Sequence, residues 1–278
     1  MQTQIIDGKK IQNKILDDVK KEVALLPFVP VFCDVLVGDD PVSAQYVRMK
    51  AKYAESVGIK FRGAEFNGSI TTEELIVEIE NLNRVSSMCG IIIQLPLPPH
   101  IDKDAVLNAI NPSLDVDCLG AISSNKFYDN KNPIGYPTAI ACMEVLDSIK
   151  VNLEGKNIVV FGQGMLVGKP VTHLLRLRGL TVSTIKRATE NKDELLKNSD
   201  LIISGAGQGK YLTGSMVKEG VIIIDAGTSE DNGGVIGDVD AQSVMDVASY
   251  VSPTPGGVGP VTVAVLLRNV LLVAKQKL

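Results

Sequence analysis

Tryptophan is absent from this chain, and phenylalanine and tyrosine bring the aromatic share to only 4%. A platform that stacks the bases of single-stranded nucleic acid needs more rings than that. A basic excess is missing too: 28 Lys and Arg face 32 Asp and Glu, a formal charge of −4, so no footprint for a phosphate backbone and no nucleic-acid partner is expected. Histidine occurs twice, as His100 and His173, in neither an H-E-x-x-H pattern nor beside a G-x-S-x-G turn. The four cysteines, Cys33, Cys89, Cys118 and Cys142, form no C-x-x-C pair and have no zinc-ligand spacing. No metal site is therefore expected, and reduced thiols of a cytoplasmic protein are. Long apolar runs are scarce. MQTQIIDGKK carries charge where a signal peptide would be apolar, and VTVAVLLRNVLLVAKQKL is broken by Arg268 and Asn269, which predicts a buried helix rather than a membrane span.

What the chain does have is a 45% hydrophobic share with 22% charged residues over 278 positions, the composition of one large or two ordinary packed domains. Short β-branched runs alternate with helical patterns: VPVFCDVLVG, a helix from about Pro41 to Val57, KFRGAEF, a helix after the Thr71-Thr72-Glu73-Glu74 cap, and CGIIIQLP. A second series follows, with NIVVFG, a helix carrying Val171 to Leu177, LTVSTI, a short helix near Lys192 to Lys197, DLIISGAG and VIIIDAG. Such alternation predicts parallel strands with crossover helices, here as two α/β domains. Between the series, NPSLDVDCLGAISSNKFYDNKNPIGYPT is rich in Asn, Ser, Pro and Gly and reads as irregular chain, with a boundary near Thr138. SPTPGGVGP precedes the last apolar helix, which is expected to return to the first domain. The domains would then be residues 1–138 with 253–278, and residues 139–252.

The glycine turn Gly162-Gln163-Gly164-Met165-Leu166-Val167-Gly168 directly follows the strand NIVVF. Small residues there let backbone N–H groups approach a pyrophosphate at a helix N-terminus, the arrangement of a Rossmann-type dinucleotide site. A plain strand-to-helix turn is the ordinary alternative. After the next strand an acidic residue would bind the ribose 2′-hydroxyl of NAD, but Lys186 and Arg187 stand there, which favours the 2′-phosphate of NADP over NAD. In the first domain Ser43, Tyr46 and Lys50 project from one side of a helix whose apolar stripe is read as Val42, Tyr46, Met49, Tyr53 and Val57, with Lys50 at its edge. Partial desolvation would let its neutral amine act as a base, although a helical lysine is ordinarily solvated. Gln94 closes the strand GIIIQ at its carboxyl end, the usual edge for ligands. Asp115 and Asp117 lie in LDVDCLG, where either carboxylate could accept two N–H bonds from an amino-pyrimidine edge and an Asx turn is the ordinary explanation.

Taken together, VGDDPVSAQYVRMKAKYAESVGI, GIIIQLPLP, LDVDCLG, NIVVFGQGMLVGKP, VIIIDAG, GDVD and SPTPGGVGPVTVAVLLRN resemble the bifunctional methylenetetrahydrofolate dehydrogenase/methenyltetrahydrofolate cyclohydrolase family over nearly the whole chain. The S-x-x-Y-x-x-x-K helix and PGGVGP are its specific elements. The resemblance implies a folate-binding catalytic domain and an NADP-binding Rossmann-type domain in a cytoplasmic homodimer, with tetrahydrofolate derivatives as ligands and no membrane partner. It implies that Lys50 is the catalytic lysine, Tyr46 packs on the folate, Gln94 holds Lys50, and Asp117 binds the pterin edge. Ser43, Pro255, Gly256 and Gly257 would line the folate site. Gly162, Gln163, Gly164, Lys186, Arg187 and Thr228 would bind NADP. Where the family commonly carries Arg-Ser in the turn, this chain has Gln163-Gly164, and Cys118 replaces a usual glycine. A monofunctional folate enzyme, a shikimate-type dehydrogenase and a non-catalytic dinucleotide-binding regulator are the rival readings.

Overall fold

The structure is a computed structural model and describes residues 2–231 and 234–278. The first elements are β1 (Gln4–Ile5), α1 (Gly8–Val23), β2 (Val31–Val37), α2 (Pro41–Ser56), β3 (Lys60–Phe66), α3 (Thr72–Asn83) and β4 (Met88–Ile93). After them come α4 (Lys103–Ala109), α5 (Ala121–Tyr128), α6 (Pro137–Ser148), β5 (Ile158–Phe161), α7 (Gly168–Leu177), β6 (Val182–Ile185), α8 (Lys192–Lys197) and β7 (Leu201–Ser204). β8 (Ile222–Asp225), β9 (Ser229–Asp231), β10 (Gly234–Ile236), α9 (Ala241–Val244), β11 (Tyr250–Ser252) and α10 (Val258–Lys275) complete the order.

Two compact units result. The first joins Lys14–Pro137 to Val263–Leu278, and the second joins residues 2–13 to Thr138–Thr262. The sequence reading put residues 1–13 and 253–262 in the first unit. Residues 2–13 and 253–262 lie in the second because β1 adds to the edge of its sheet, with Gln4 opposite Tyr250 and Ile5 opposite Val251, and Gly8 N–H donates to Gly256 O at 3.0 Å. A two-residue strand carries no periodic signal by which to foresee this.

The first unit is built on a parallel three-stranded sheet of order β3-β2-β4. All seven residues of the central β2 are buried, as expected of a parallel strand covered on both faces. α3 starts where the cap was read: Thr71 and Glu74 form a reciprocal capping box. α10 packs close to β4, where a side chain at Gly90 would collide with Val116 and Val270. That helix is long and apolar enough to cross a membrane, but 67% of it is buried within the protein, so its apolar residues are spent on the core. α5 forms inside the segment read as irregular; Gly120 stands at its N-cap without a side-chain bond, so neither a cap nor a clear apolar face announced it.

The second unit carries a six-stranded parallel sheet of order β1-β11-β8-β7-β5-β6. β6 lies on one side of β5 and β7 on the other, so the direction of strand order reverses at β5. In open α/β sheets, ligands bind at the carboxyl ends of strands beside such a reversal. Val159, Phe161, Ile185, Leu196, Ile202, Ile223 and Val251 form its core.

Candidate active site

Each unit gathers one part of the machinery. In the first, Asp40 caps α2 by accepting from Ser43 N–H at 2.7 Å, and the helix then buries Ser43, Val47, Lys50 and Ala54. This corrects the stripe read from sequence. Val42 and Tyr46, two of its members, are exposed, and the buried face is the one bearing Ser43 and Lys50. The inward-facing lysine is possible because Asp34, at the middle of β2, stands beneath it: Lys50 Nζ lies 2.6 Å from Asp34 Oδ2. Gln94, just past β4, accepts from Lys50 Nζ through Oε1 at 2.8 Å and donates from Nε2 to Leu95 O at 3.2 Å. The amide is thus fixed at both ends.

Asp34 is fully buried. Neither of its oxygens takes a well-directed hydrogen bond, so the close contact with Lys50 is an ion pair rather than an aligned one, and the ammonium is what offsets the buried charge. Burial raises the Asp34 pKa above the ordinary carboxylate range, against the lowering effect of Lys50. Sequence reading missed this residue. The signal was there: one acid inside VFCDVLV, a strand otherwise apolar, requires a partner.

The open choice between Asp115 and Asp117 is decided by their partners. Asp115 is buried and accepts from Leu119 N–H at 3.3 Å, from Gly120 N–H at 2.8 Å and from the Ser123 hydroxyl, so it is consumed in holding the loop. Asp117 is partly exposed, and no hydrogen bond to its carboxylate occurs among the described residues. Burial pushes it up to about 7, opposed by Lys50 and reinforced by Asp115 and Asp34, which sets it in the same electrostatic cluster. Cys118, beside it, holds φ at 63°, a left-handed conformation that a glycine adopts more readily.

Pro255, Gly256 and Gly257 belong to the second unit, on the segment between β11 and α10. There the glycine turn leaves β5 at Gly162, whose φ of 89° and 2.5 Å approach of an added Cβ to Gly205 O demand glycine. Gly162 N–H donates to Ile185 O at 2.9 Å, which sets the turn beside the end of β6 and the exposed Lys186 and Arg187 that follow it. Gly164 is exposed with open space where a side chain would be, and the N-terminus of α7 has no side-chain cap. Those features fit a pyrophosphate, which needs close backbone approach and unclaimed N–H groups. Gln163 points the other way: its Nε2 donates to Gly162 O at 2.9 Å and Thr172 Oγ1 at 3.1 Å, so its side chain braces the turn.

Two further aspartates unforeseen as site residues shape this edge. Asp238 accepts from Ala206 N–H at 2.7 Å and Gln208 N–H at 2.6 Å, bracing the chain after β7. Asp225, pushed up to about 6 by burial, accepts from Gly227 N–H at 2.9 Å and Val239 N–H at 3.1 Å and thereby fixes the chain leading to exposed Thr228.

A sheet with a glycine turn at its reversal point, in one chain with a unit that buries a lysine between a carboxylate and an amide, defines a two-unit α/β dinucleotide-dependent enzyme. Comparison with known proteins narrows the class. The family model for the tetrahydrofolate dehydrogenase/cyclohydrolase catalytic domain matches residues 6–117, and that for the NAD(P)-binding domain matches residues 136–278. The chain belongs to the tetrahydrofolate dehydrogenase/cyclohydrolase family. It is 40% identical over 276 residues to the bifunctional protein FolD of Nautilia profundicola, covering 98% of this chain and 97% of that one. The crystal structure of the bifunctional FolD of Campylobacter jejuni superposes with a TM-score of 0.94 at 38% identity, covering 99% of this chain and 100% of the other. That of the Trypanosoma brucei dehydrogenase-cyclohydrolase, solved with NADP cofactor and an inhibitor, gives 0.94 at 36% identity, covering 100% and 99%.

Proposed function

We propose that the protein oxidises 5,10-methylenetetrahydrofolate to the 5,10-methenyl cation with NADP and hydrolyses that cation to 10-formyltetrahydrofolate, two consecutive steps of one-carbon metabolism. The observation that carries this reading is the Lys50 amine, buried and held 2.6 Å from Asp34 and 2.8 Å from Gln94, in a chain that matches both family domains.

NADP, when bound, supplies the hydride acceptor. Gly162, Gly164 and the uncapped start of α7 would hold its pyrophosphate, Lys186 and Arg187 its 2′-phosphate, and Thr228 would flank it; Gln163 supports the turn. The folate ring would lie on exposed Tyr46 with Asp117 accepting from its pterin N–H groups, and Ser43 lies one turn before Tyr46 on the same helix. Hydride loss itself needs no acid or base. Hydrolysis does: water adds to the cationic carbon, a proton leaves it, and a ring nitrogen must depart protonated. Lys50, oriented by Gln94, is the group in the first unit suited to move that proton.

The homodimer and the cytoplasmic location implied by the family resemblance belong to this reading; four buried cysteines carrying free thiols suit a reducing compartment. The deciding experiment is a spectroscopic assay of pure protein with methylenetetrahydrofolate, run with NADP and with NAD. Reduction of NADP at the higher kcat/KM, followed by decay of the methenyl absorbance, is expected. Protein that is folded yet performs neither step refutes the proposal.

A further inference from the structure

An acid at the centre of β2 is the least expected residue in the first unit. Every residue of that strand is buried, and Asp34 faces Gly63 of β3 and Ile92 of β4 across the sheet, neither of which has a side chain able to satisfy a carboxylate. Removing a charge from water without compensation is costly, so a merely tolerated acid would be found beside several donors. Here its oxygens have no directed hydrogen bond, and its partner is the one amine to which the hydrolysis is assigned. Gln94 holds the other side of that amine. The lysine is therefore gripped between a neutral group that fixes direction and an anion that can take a proton.

We propose that Asp34 is a positioning and proton-holding residue of the hydrolysis: it fixes the Lys50 ammonium against Gln94 and receives a proton from it as the ammonium takes one from water. The inference rests on the assignment of Lys50 above. In the resting pair, carboxylate and ammonium hold one mobile proton between them and are neutral together. Water forms a C–O bond to the methenyl carbon; one of its protons enters at Lys50 while Lys50 passes one to Asp34. The cationic charge thus moves from substrate to pair, and the buried site keeps its total. As the carbinol O–H gives up its remaining proton to solvent and becomes the formyl C=O, the bond from carbon to N5 breaks. Its electrons stay on N5, and the proton held by the pair returns through Lys50 to N5. One proton is released overall, as the conversion of cation plus water to neutral product requires.

Other charges face the pair. Asp117 interacts with it from the loop after α4 and is itself acted on by Asp115, Cys33 adjoins Asp34 on β2, and Arg62 lies opposite Cys33 on β3. Lys60 and Glu65 are the remaining ionisable residues of β3, and Cys89 is that of β4. On α2 itself, Tyr46, Arg48, Lys52, Tyr53 and Glu55 are the other ionisable residues. Among these groups, Asp34 is the one in ion-pair contact with Lys50. Burial raises Asp34, which moves a carboxylate toward the range where it can receive a proton.

The test is the pH dependence of methenyltetrahydrofolate hydrolysis in wild type and Asp34→Asn, with melting curves to establish folding. The variant keeps the shape and loses the base, so kcat near pH 7 is expected to fall about tenfold or more while KM changes by less than about twofold. Its acid limb is expected to leave the position it holds in wild type, because the carboxylate that receives the proton is gone. A purely structural Asp34 would leave the limb in place. Should the variant not fold, wild-type protein labelled with 13C-aspartate provides the same decision. The Asp34 carboxyl must titrate at the pH of the wild-type acid limb, and titration elsewhere overturns the proposal. Wild type that hydrolyses nothing at any pH refutes the assigned function, whereas active wild type with a superimposable Asp34→Asn profile refutes only this role.

Discussion

The side-chain amide of Asn269 donates at 2.9 Å to the carbonyl of Val116 and, at the same distance, to that of Gly135. α10 thereby holds the loop that presents Asp117 from behind, through a residue that is itself buried. Replacing Asn269 by Leu leaves two buried carbonyls without a donor. A stability loss of about 1–3 kcal/mol is expected in urea denaturation, together with a raised KM for folate, since Asp117 sits next to Val116.

Lys50→Met removes the amine while preserving much of the side-chain volume. Hydrolysis of the methenyl cation should fall by about 10²–10⁴-fold, the usual range for a lost acid–base group. Dehydrogenase turnover should survive in part, because hydride loss needs no proton transfer. Stopped-flow measurement of the two absorbance phases separates the steps. Hydrolysis at the wild-type rate would remove Lys50 from the mechanism.

Asp117 titrates near 7, and an unfolded aspartate near 3.9. The folded state therefore binds this proton more tightly, and its contribution to stability, complete below about pH 4, is lost as pH rises through about 7. Asp225, raised to about 6, acts in the same direction. Free protein should show a melting temperature that declines across this window, with a weaker decline in Asp117→Asn. Folate binding should run oppositely, tightening as Asp117 ionises and becomes a pure acceptor for pterin N–H groups. Melting curves across the same window test the first sign and calorimetric titration of folate at pH 6 and pH 8 the second; a folate affinity that is the same at the two pH values, or unchanged in Asp117→Asn, defeats this role.

Two of the three glycines in the turn after β5 should respond differently. Gly162→Ala meets Gly205 O and a φ of 89°, so a loss of about 2 kcal/mol or more is expected. Gly164→Ser enters open space and should leave stability within about 0.5 kcal/mol. Thermal denaturation of the two variants checks the contrast.

Arg187→Ala and Lys186→Ala should raise KM for NADP, each by about tenfold for a lost phosphate pair, with KM for NAD little changed. Parallel increases for both cofactors would show that these exposed cations do not read the 2′-phosphate.

Much of this was legible because local pattern and function coincide. The span of β3, the bounds of α8 and the cap of α3 follow from turn chemistry and periodicity alone. Lys50 could be singled out by its spacing from Ser43 and Tyr46, but its surroundings could not. An apolar stripe implies burial only when the buried side is apolar, and α2 turns Ser43 and Lys50 inward while exposing Val42 and Tyr46. The ion pair with Asp34 joins residues sixteen positions apart on a strand and a helix, and only the fold brings them together. The pairing of β1 with β11 is more remote still, spanning nearly the whole chain.

That remote pairing and the return of α10 leave neither unit made from one continuous stretch. On the ribosome, residues 14–137 emerge early yet must wait for the last helix, which brings Asn269 and Val270 to the back of their sheet. The dinucleotide unit, whose final residue is Thr262, has all its parts first. Synthesis thus supplies every segment of the second unit before the lysine's own scaffold is whole, and a chain cut short after Thr262 would keep all the strands of the six-stranded sheet while lacking the Asn269 that braces the loop of Asp117.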